Sequence, residues 1–139
     1  MQLFDKLVQL KTDFEDKLST SNGYNTDLID VKHGEYLYSE VIQVPILCFI
    51  VNNDVVNPDF LDETQRRVAN MVIYGYVQST EDHLPLFNLV EDVIKFLNKK
   101  ADWTYTDDTI FGDVSYRYGN KLLLNKDLFF MLVQLQYDI

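Results

Sequence analysis

Hydrophobic residues change their spacing several times along the chain, and each change predicts an element. Leu3, Leu7, Leu10, Phe14 and Leu18 recur at three- and four-residue steps, so they share one face of a helix over residues 3–18. Asp5, Lys6, Lys11, Asp13, Glu15 and Asp16 fall on its other side. The polar run ending in Asn22-Gly23 stops this helix, with Gly23 free to take a left-handed conformation. Residues 24–32 read as a short strand or an extended lead-in. A turn follows at His33-Gly34, and then a polar stretch over 35–43 that holds Tyr36, Tyr38 and Val41. Residues 44–51 are apolar on both faces and rich in β-branched side chains, the pattern of a buried strand. Residues 52–64 carry Asn, Asp and Pro and predict a loop longer than a hairpin needs.

A long strand is predicted over 66–78, with Met71, Ile73 and Val77 on one face and Val68, Val72, Tyr74 and Tyr76 on the other. Gly75 within it marks a bulge or a close approach. Residues 84–98 return to helical spacing through Leu86, Leu89, Val90, Val93, Phe96 and Leu97. Residues 79–82 supply its caps, Pro85 sits in its first turn, and Lys95, Lys99 and Lys100 suit its carboxyl end. Residues 110–118 alternate as a half-buried strand and lead to a turn at Gly119-Asn120. Over 128–139, Phe129, Met131, Val133, Leu135, Tyr137 and Ile139 share a face. The opposite face runs from apolar (Leu128, Phe130, Leu132) to polar (Gln134, Gln136, Asp138), which predicts a strand that begins covered and ends at an edge. Strands grouped between two helices imply an α+β fold: one domain, 1–139, with a mostly antiparallel sheet and both helices packed on one face. No repeat, linker or low-complexity tract interrupts it.

Composition narrows the function. The 139 residues suffice for one core, and 47% hydrophobic content with nine Phe and nine Tyr implies a folded chain. The net charge of −10, with only twelve Lys and Arg, leaves little for phosphate neutralisation and argues against nonspecific nucleic-acid binding. The acidity reads as solubility, or as an acidic wall along which DNA slides. The longest apolar run is too short to cross a bilayer, and the amino-terminal segment does not have a signal peptide's pattern, so a cytoplasmic site of synthesis is expected.

The chemistry-bearing residues are sparse. A single cysteine, Cys48, lies in an apolar strand and reads as a small buried hydrophobe. His33 and His83 occupy turn or cap positions, and neither is placed to activate Cys48. One Cys and two separated His do not make a zinc site, and Asn52-Asn53-Asp54 and Asp107-Asp108 do not have calcium-loop spacing. Glu81-Asp82 suits the start of the second helix, and Glu91-Asp92 is expected to face solvent. No catalytic, metal or cofactor site is predicted. Arg66-Arg67, the most basic spot, reads as a solvated strand start or as a partner for an acidic loop from Asp54 to Glu63 of a neighbouring copy.

Several segments together resemble the tail terminator (tail completion) family of long-tailed bacteriophages. They are the amphipathic first helix ending in Asn22-Gly23-Tyr24 with Thr26-Asp27 and Val31, and the segment Val-Pro-Ile-Leu-Cys-Phe-Ile. Val-Ile-Tyr-Gly-Tyr-Val follows, then the helix Leu-Val-Glu-Asp-Val-Ile-Lys-Phe-Leu and an apolar closing strand. The resemblance implies a non-enzymatic virion protein that forms a ring, usually a hexamer. The ring caps the tail tube, ends its polymerisation, meets the neck or head-completion protein and surrounds DNA without specific binding, with no membrane involved. Tyr36, Tyr38, Asp54, Asp59, Arg66, Arg67 and Tyr137 are the expected subunit or tube contacts, the aromatic excess being typical of interfaces. A neck stopper or adaptor is the alternative within virions. A small ligand-binding regulatory domain or a small hydrolase using His33 or His83 are the alternatives outside them.

Overall fold

The computed structural model describes residues 3–34, 43–56, 66–98, 108–120 and 124–138. Helix α1 spans Leu3–Lys17. Leu7, Leu10 and Phe14 form its buried stripe, and Leu18 continues it, its amide still bonded to the Phe14 carbonyl at 3.2 Å. Lys6 and Asp13, assigned by spacing to the polar side, are also buried. Asp13 accepts a hydrogen bond from Gln9 one turn earlier, which makes its position tolerable. A 3-10 turn at Thr20–Asn22 follows, and Gly23 closes it at φ +88°, the left-handed state read from the sequence. The Asn22 side-chain amide donates to the Lys17 carbonyl at 2.9 Å and satisfies one orphan acceptor of the helix end.

Five strands form one sheet: β1 (Asp30–His33), β2 (Ile46–Val56), β3 (Arg66–Gln78), β4 (Asp108–Asn120) and β5 (Lys126–Asp138). Their spatial order is β1-β2-β3-β5-β4, with β1 parallel to β2 and every other pair antiparallel. Helix α2 (Leu84–Asn98) links β3 to β4. Its first amide, Leu84 N–H, donates to Asp82 Oδ1 at 3.1 Å, and Pro85 occupies the first turn, where no amide proton is needed. Among the described residues no helix is long and apolar enough to cross a membrane.

Both helices pack on one face of the sheet. Phe14 of α1 stacks on Phe96 of α2 at 4.4 Å and tilts against Phe49 of β2 at 6.3 Å, so one ring joins three elements. Beneath them lie Leu47, Ile73, Met71, Phe129, Met131 and Val133, all buried in the same cluster. Tyr24 tilts against Phe96, and the Lys95 ammonium lies 4.9 Å from the Tyr24 ring centre while donating to the Gly23 carbonyl. The segment after α1 is thereby fastened to the end of α2.

Three expectations are corrected. Residues 52–56 are not loop: β2 continues to Val56 past an irregularity between Val51 and Asn53, and the Asn70 side-chain amide donates to Asn53 Oδ1 across the strands. Asn and Asp are frequent in turns, but here a cross-strand amide bond and continuous backbone pairing hold them extended. The closing strand does not end at an edge. β5 pairs with β3 along its whole length and with β4 from Asn120 to Asp108, so it is interior. Gln134 marks exposure of one face, which is independent of backbone pairing. Finally, Asp92 does not face solvent: it is buried, and its carboxylate accepts the Asn25 backbone amide at 3.0 and 3.1 Å and the Asn25 side-chain amide at 3.3 Å.

Gly75 marks a close approach, not a bulge, because the register runs through it unbroken. It faces Phe129 on β5, whose buried ring occupies the space a Cβ would take. Gly75→Ala should therefore push Phe129 into a filled core and lower unfolding stability by about 1–3 kcal/mol. Urea unfolding of the variant measures this, and an unchanged midpoint would contradict the packing described.

Candidate assembly surface

The opposite face of the sheet carries no described helix. Its cross-strand rows follow from the register. Ile46, Tyr76, Leu128 and Arg117 form one row; Cys48, Tyr74, Phe130 and Ser115 the next; then Ile50, Val72 and Leu132; then Asn53, Asn70 and Gln134. The first rows are apolar, with Ile46, Cys48, Tyr76 and Leu128 buried. Tyr74 and Phe130 meet edge to face at 5.2 Å, and the Arg117 guanidinium lies 5.7 Å from the Phe130 ring centre. Farther along, the face opens. Leu132, on an interior strand, is 47% exposed, and beside it is a shallow hollow of about 380 Å³ bounded by Asn52, Asn70, Gly112 and Gln134. A Cβ on Gly112 would stand 2.9 Å from the Leu132 Cβ, so glycine brings β4 close to Leu132 at this irregular point of the β4–β5 pairing. The open part of the face thus offers Leu132 with amides beside it, a composition suited to a protein partner.

The histidines lie on the helix-covered face. His33 pairs in register with Phe49 and stacks on its ring at 5.2 Å, with Phe4 at 6.2 Å. Burial there pushes the His33 imidazole below its ordinary 6.5. His83, at φ +56°, begins the approach to α2, and its Nδ1 lies 2.8 Å from Asp127 Oδ2. Asp127 is fully buried, and its other oxygen accepts the Gly119 amide at 2.8 Å. One carboxylate therefore ties the start of α2 to the β4–β5 hairpin, and an ionised carboxylate requires His83 Nδ1 to donate. Cys48 sits on the other face, among Ile46, Tyr76 and Leu128, so the sheet separates its thiol from both imidazoles. Among the described residues no group of three His, Cys, Asp or Glu side chains is placed to hold a metal ion.

Of the residues expected at contacts, Tyr36, Tyr38 and Asp59 lie outside the described residues. The other four come together at one end of the sheet. Arg67 is flanked by Val56 on β2 and Tyr137 on β5, Arg66 pairs with Asp138, and Asp54 pairs with Ala69 two residues along β3. Asp54 is thus a half-buried strand residue and not part of a loop, and Arg66 and Arg67 open β3, the strand start read from the sequence. Tyr137 belongs to an interior strand.

Sequence reasoning missed Asp92, His83 and Asp127 as a tying set. Asp127 was within reach, since it stands in phase with Phe129, Met131 and Val133 on the core-facing side. A carboxylate at such a position needs partners. His83 and Asn25 gave no signal, because their partners are 44 and 67 residues away in sequence.

No family model matches the chain, and a search of curated proteins returns no match.

Two outcomes are expected from this geometry. Because burial lowers the His33 value, the unfolded chain takes up a proton first. The His33 contribution to stability is complete above about pH 6.5 and is lost as pH falls toward the folded value. Unfolding stability should drop more between about pH 7 and pH 5 in the wild type than in His33→Phe, and parallel curves would refute the assignment. Asp127→Ala, which strips the acceptor from His83 and Gly119, should cost about 1–3 kcal/mol in urea unfolding. An effect near zero would mean that the tie does not hold the hairpin.

Proposed function

We propose that the chain is a structural subunit of a long-tailed phage virion, a tail terminator. In this reading identical copies form a ring, usually a hexamer, on the head-proximal end of the tail tube. The ring halts tube polymerisation and presents the surface to which the neck or head-completion protein attaches. No bond is made or broken by any side chain; the work is done by surface complementarity.

The observation that carries the reading is the helix-free sheet face, with Leu132 standing half-exposed on an interior strand beside an open hollow and amide-bearing neighbours. An exposed apolar side chain on an interior strand, bordered by polar groups, is what an assembling subunit buries. Two further features agree with it. Among the described strands, β1 and β4 each pair on one side only, which leaves backbone groups for pairing across copies. The net charge of −10 gives a ring lumen that DNA can pass without adhering. The sequence segments that resemble the terminator family fall on α1, β1, β2, β3, α2 and β5, the elements that build both faces.

The test is electron microscopy of particles assembled without this chain. The proposal expects tails of irregular, excessive length that fail to join capsids, and restoration of both properties when the chain is supplied. Tails of uniform length properly joined to capsids in its absence would end the proposal. Tails of normal length that remain unjoined would move the chain to the neck, as a stopper or adaptor.

A further inference from the structure

Where the first turn of α2 passes β4, four rings form a continuous surface ridge. The His83 ring lies 4.6 Å from Tyr118, Tyr118 stacks nearly parallel to Tyr116 at 6.2 Å, and Tyr116 tilts against Phe87 at 5.5 Å. Tyr118 is 50% exposed, Phe87 40%, and Leu84, one turn before Phe87, 54%. The ridge is held from behind, since Asp127 grips both His83 and the Gly119 amide next to Tyr118. Rigid rings on a fixed base present area to a partner at little entropic cost.

Among the described residues, the exposed charges around it have one sign. Glu81 and Asp82 are exposed immediately before His83, and Glu91 is exposed one turn beyond Phe87 on the same stripe of α2. The described cations of neighbouring elements are engaged elsewhere: Arg117 lies over Phe130 on the opposite face, Lys95 holds the Gly23 carbonyl and the Tyr24 ring, and Lys126 is buried. Ring faces and carboxylates both favour cations. A second copy in a two-fold contact would set Glu81, Asp82 and Glu91 against themselves, in a chain that already carries −10.

We propose that the ridge formed by His83, Leu84, Phe87, Tyr116 and Tyr118 is a docking surface for a cationic segment of another protein, one in which arginine or lysine alternates with apolar anchors. The surface is distinct from the helix-free face, and the inference stands whether or not the chain caps a tail tube.

The experiment is an NMR titration of the full chain with a short peptide of alternating arginine and leucine, alongside sister peptides carrying glutamine or glutamate in place of arginine. The arginine peptide should shift the amides of α2's first turn and of β4 near Tyr118, and the sister peptides should not. Glu81→Gln with Glu91→Gln should weaken binding roughly tenfold, and Phe87→Ala by a similar factor, with unchanged unfolding midpoints. Tyr118→Phe, which keeps the ring, should bind as the wild type does. Equal binding of the glutamine peptide, shifts confined to other surfaces, or full affinity in the charge-neutralised variant would overturn the proposal. Self-association of the chain through the same residues would overturn it too, by assigning the ridge to a second copy.

Discussion

Coverage is the constraint from which the rest follows. A helix is about 10 Å wide and strands lie about 4.8 Å apart, so two helices side by side span roughly the width of five strands. Among the described residues there are two helices of fifteen residues and one five-stranded sheet, and both helices are used in covering one face. Phe14 fixes the arrangement by joining both helices to β2, and the Phe129 ring fills the site beside Gly75 that lets β3 and β5 lie under them. Among the described elements, the other face therefore carries no helix.

The two faces differ in how polar groups are treated. On the covered face two buried carboxylates have several donors: Asp92 takes the Asn25 amides, and Asp127 takes His83 and Gly119. These bonds connect distant parts of the chain, the segment after α1 with α2 and the start of α2 with the β4–β5 hairpin, so they contribute order as well as stability. On the helix-free face the apolar rows give way to a row of amides, Asn53, Asn70 and Gln134, which remain satisfied in water or against a protein. A surface built this way can be wet before assembly and dry after it.

Much of this was legible in the sequence. Helical spacing located α1 and α2 to within a residue, and alternation located β3 and the core-facing side of β5, because those periodicities are the direct imprint of one-sided burial. The extent of β2 was not legible, since Asn52, Asn53 and Asp54 have turn chemistry and pairing resumes only at Asn53, past the irregularity after Val51. The interior place of β5 was not legible either. Gln134 reports which side of the strand meets water, whereas pairing is a property of the backbone edge, and strand order is set by non-local contacts. The tying carboxylates were partly legible by phase, as Asp127 illustrates, but their donors were not. Of the expected contact residues, Asp54, Arg66, Arg67 and Tyr137 lie toward one end of β2, β3 and β5, with Asp54 on a strand and not on the expected loop.

The central claim is that the helix-covered face holds the fold while the helix-free face holds the assembly. Leu132→Glu separates the two, because Leu132 is half-exposed on the second face and stands outside the buried core cluster. Native mass spectrometry of the variant mixed with tail tubes, paired with its urea unfolding curve, is the most direct measurement. The account predicts a stability within about 0.5 kcal/mol of the parent and loss of the tube-bound ring. A tube-bound ring of full mass from the Leu132→Glu chain would contradict it.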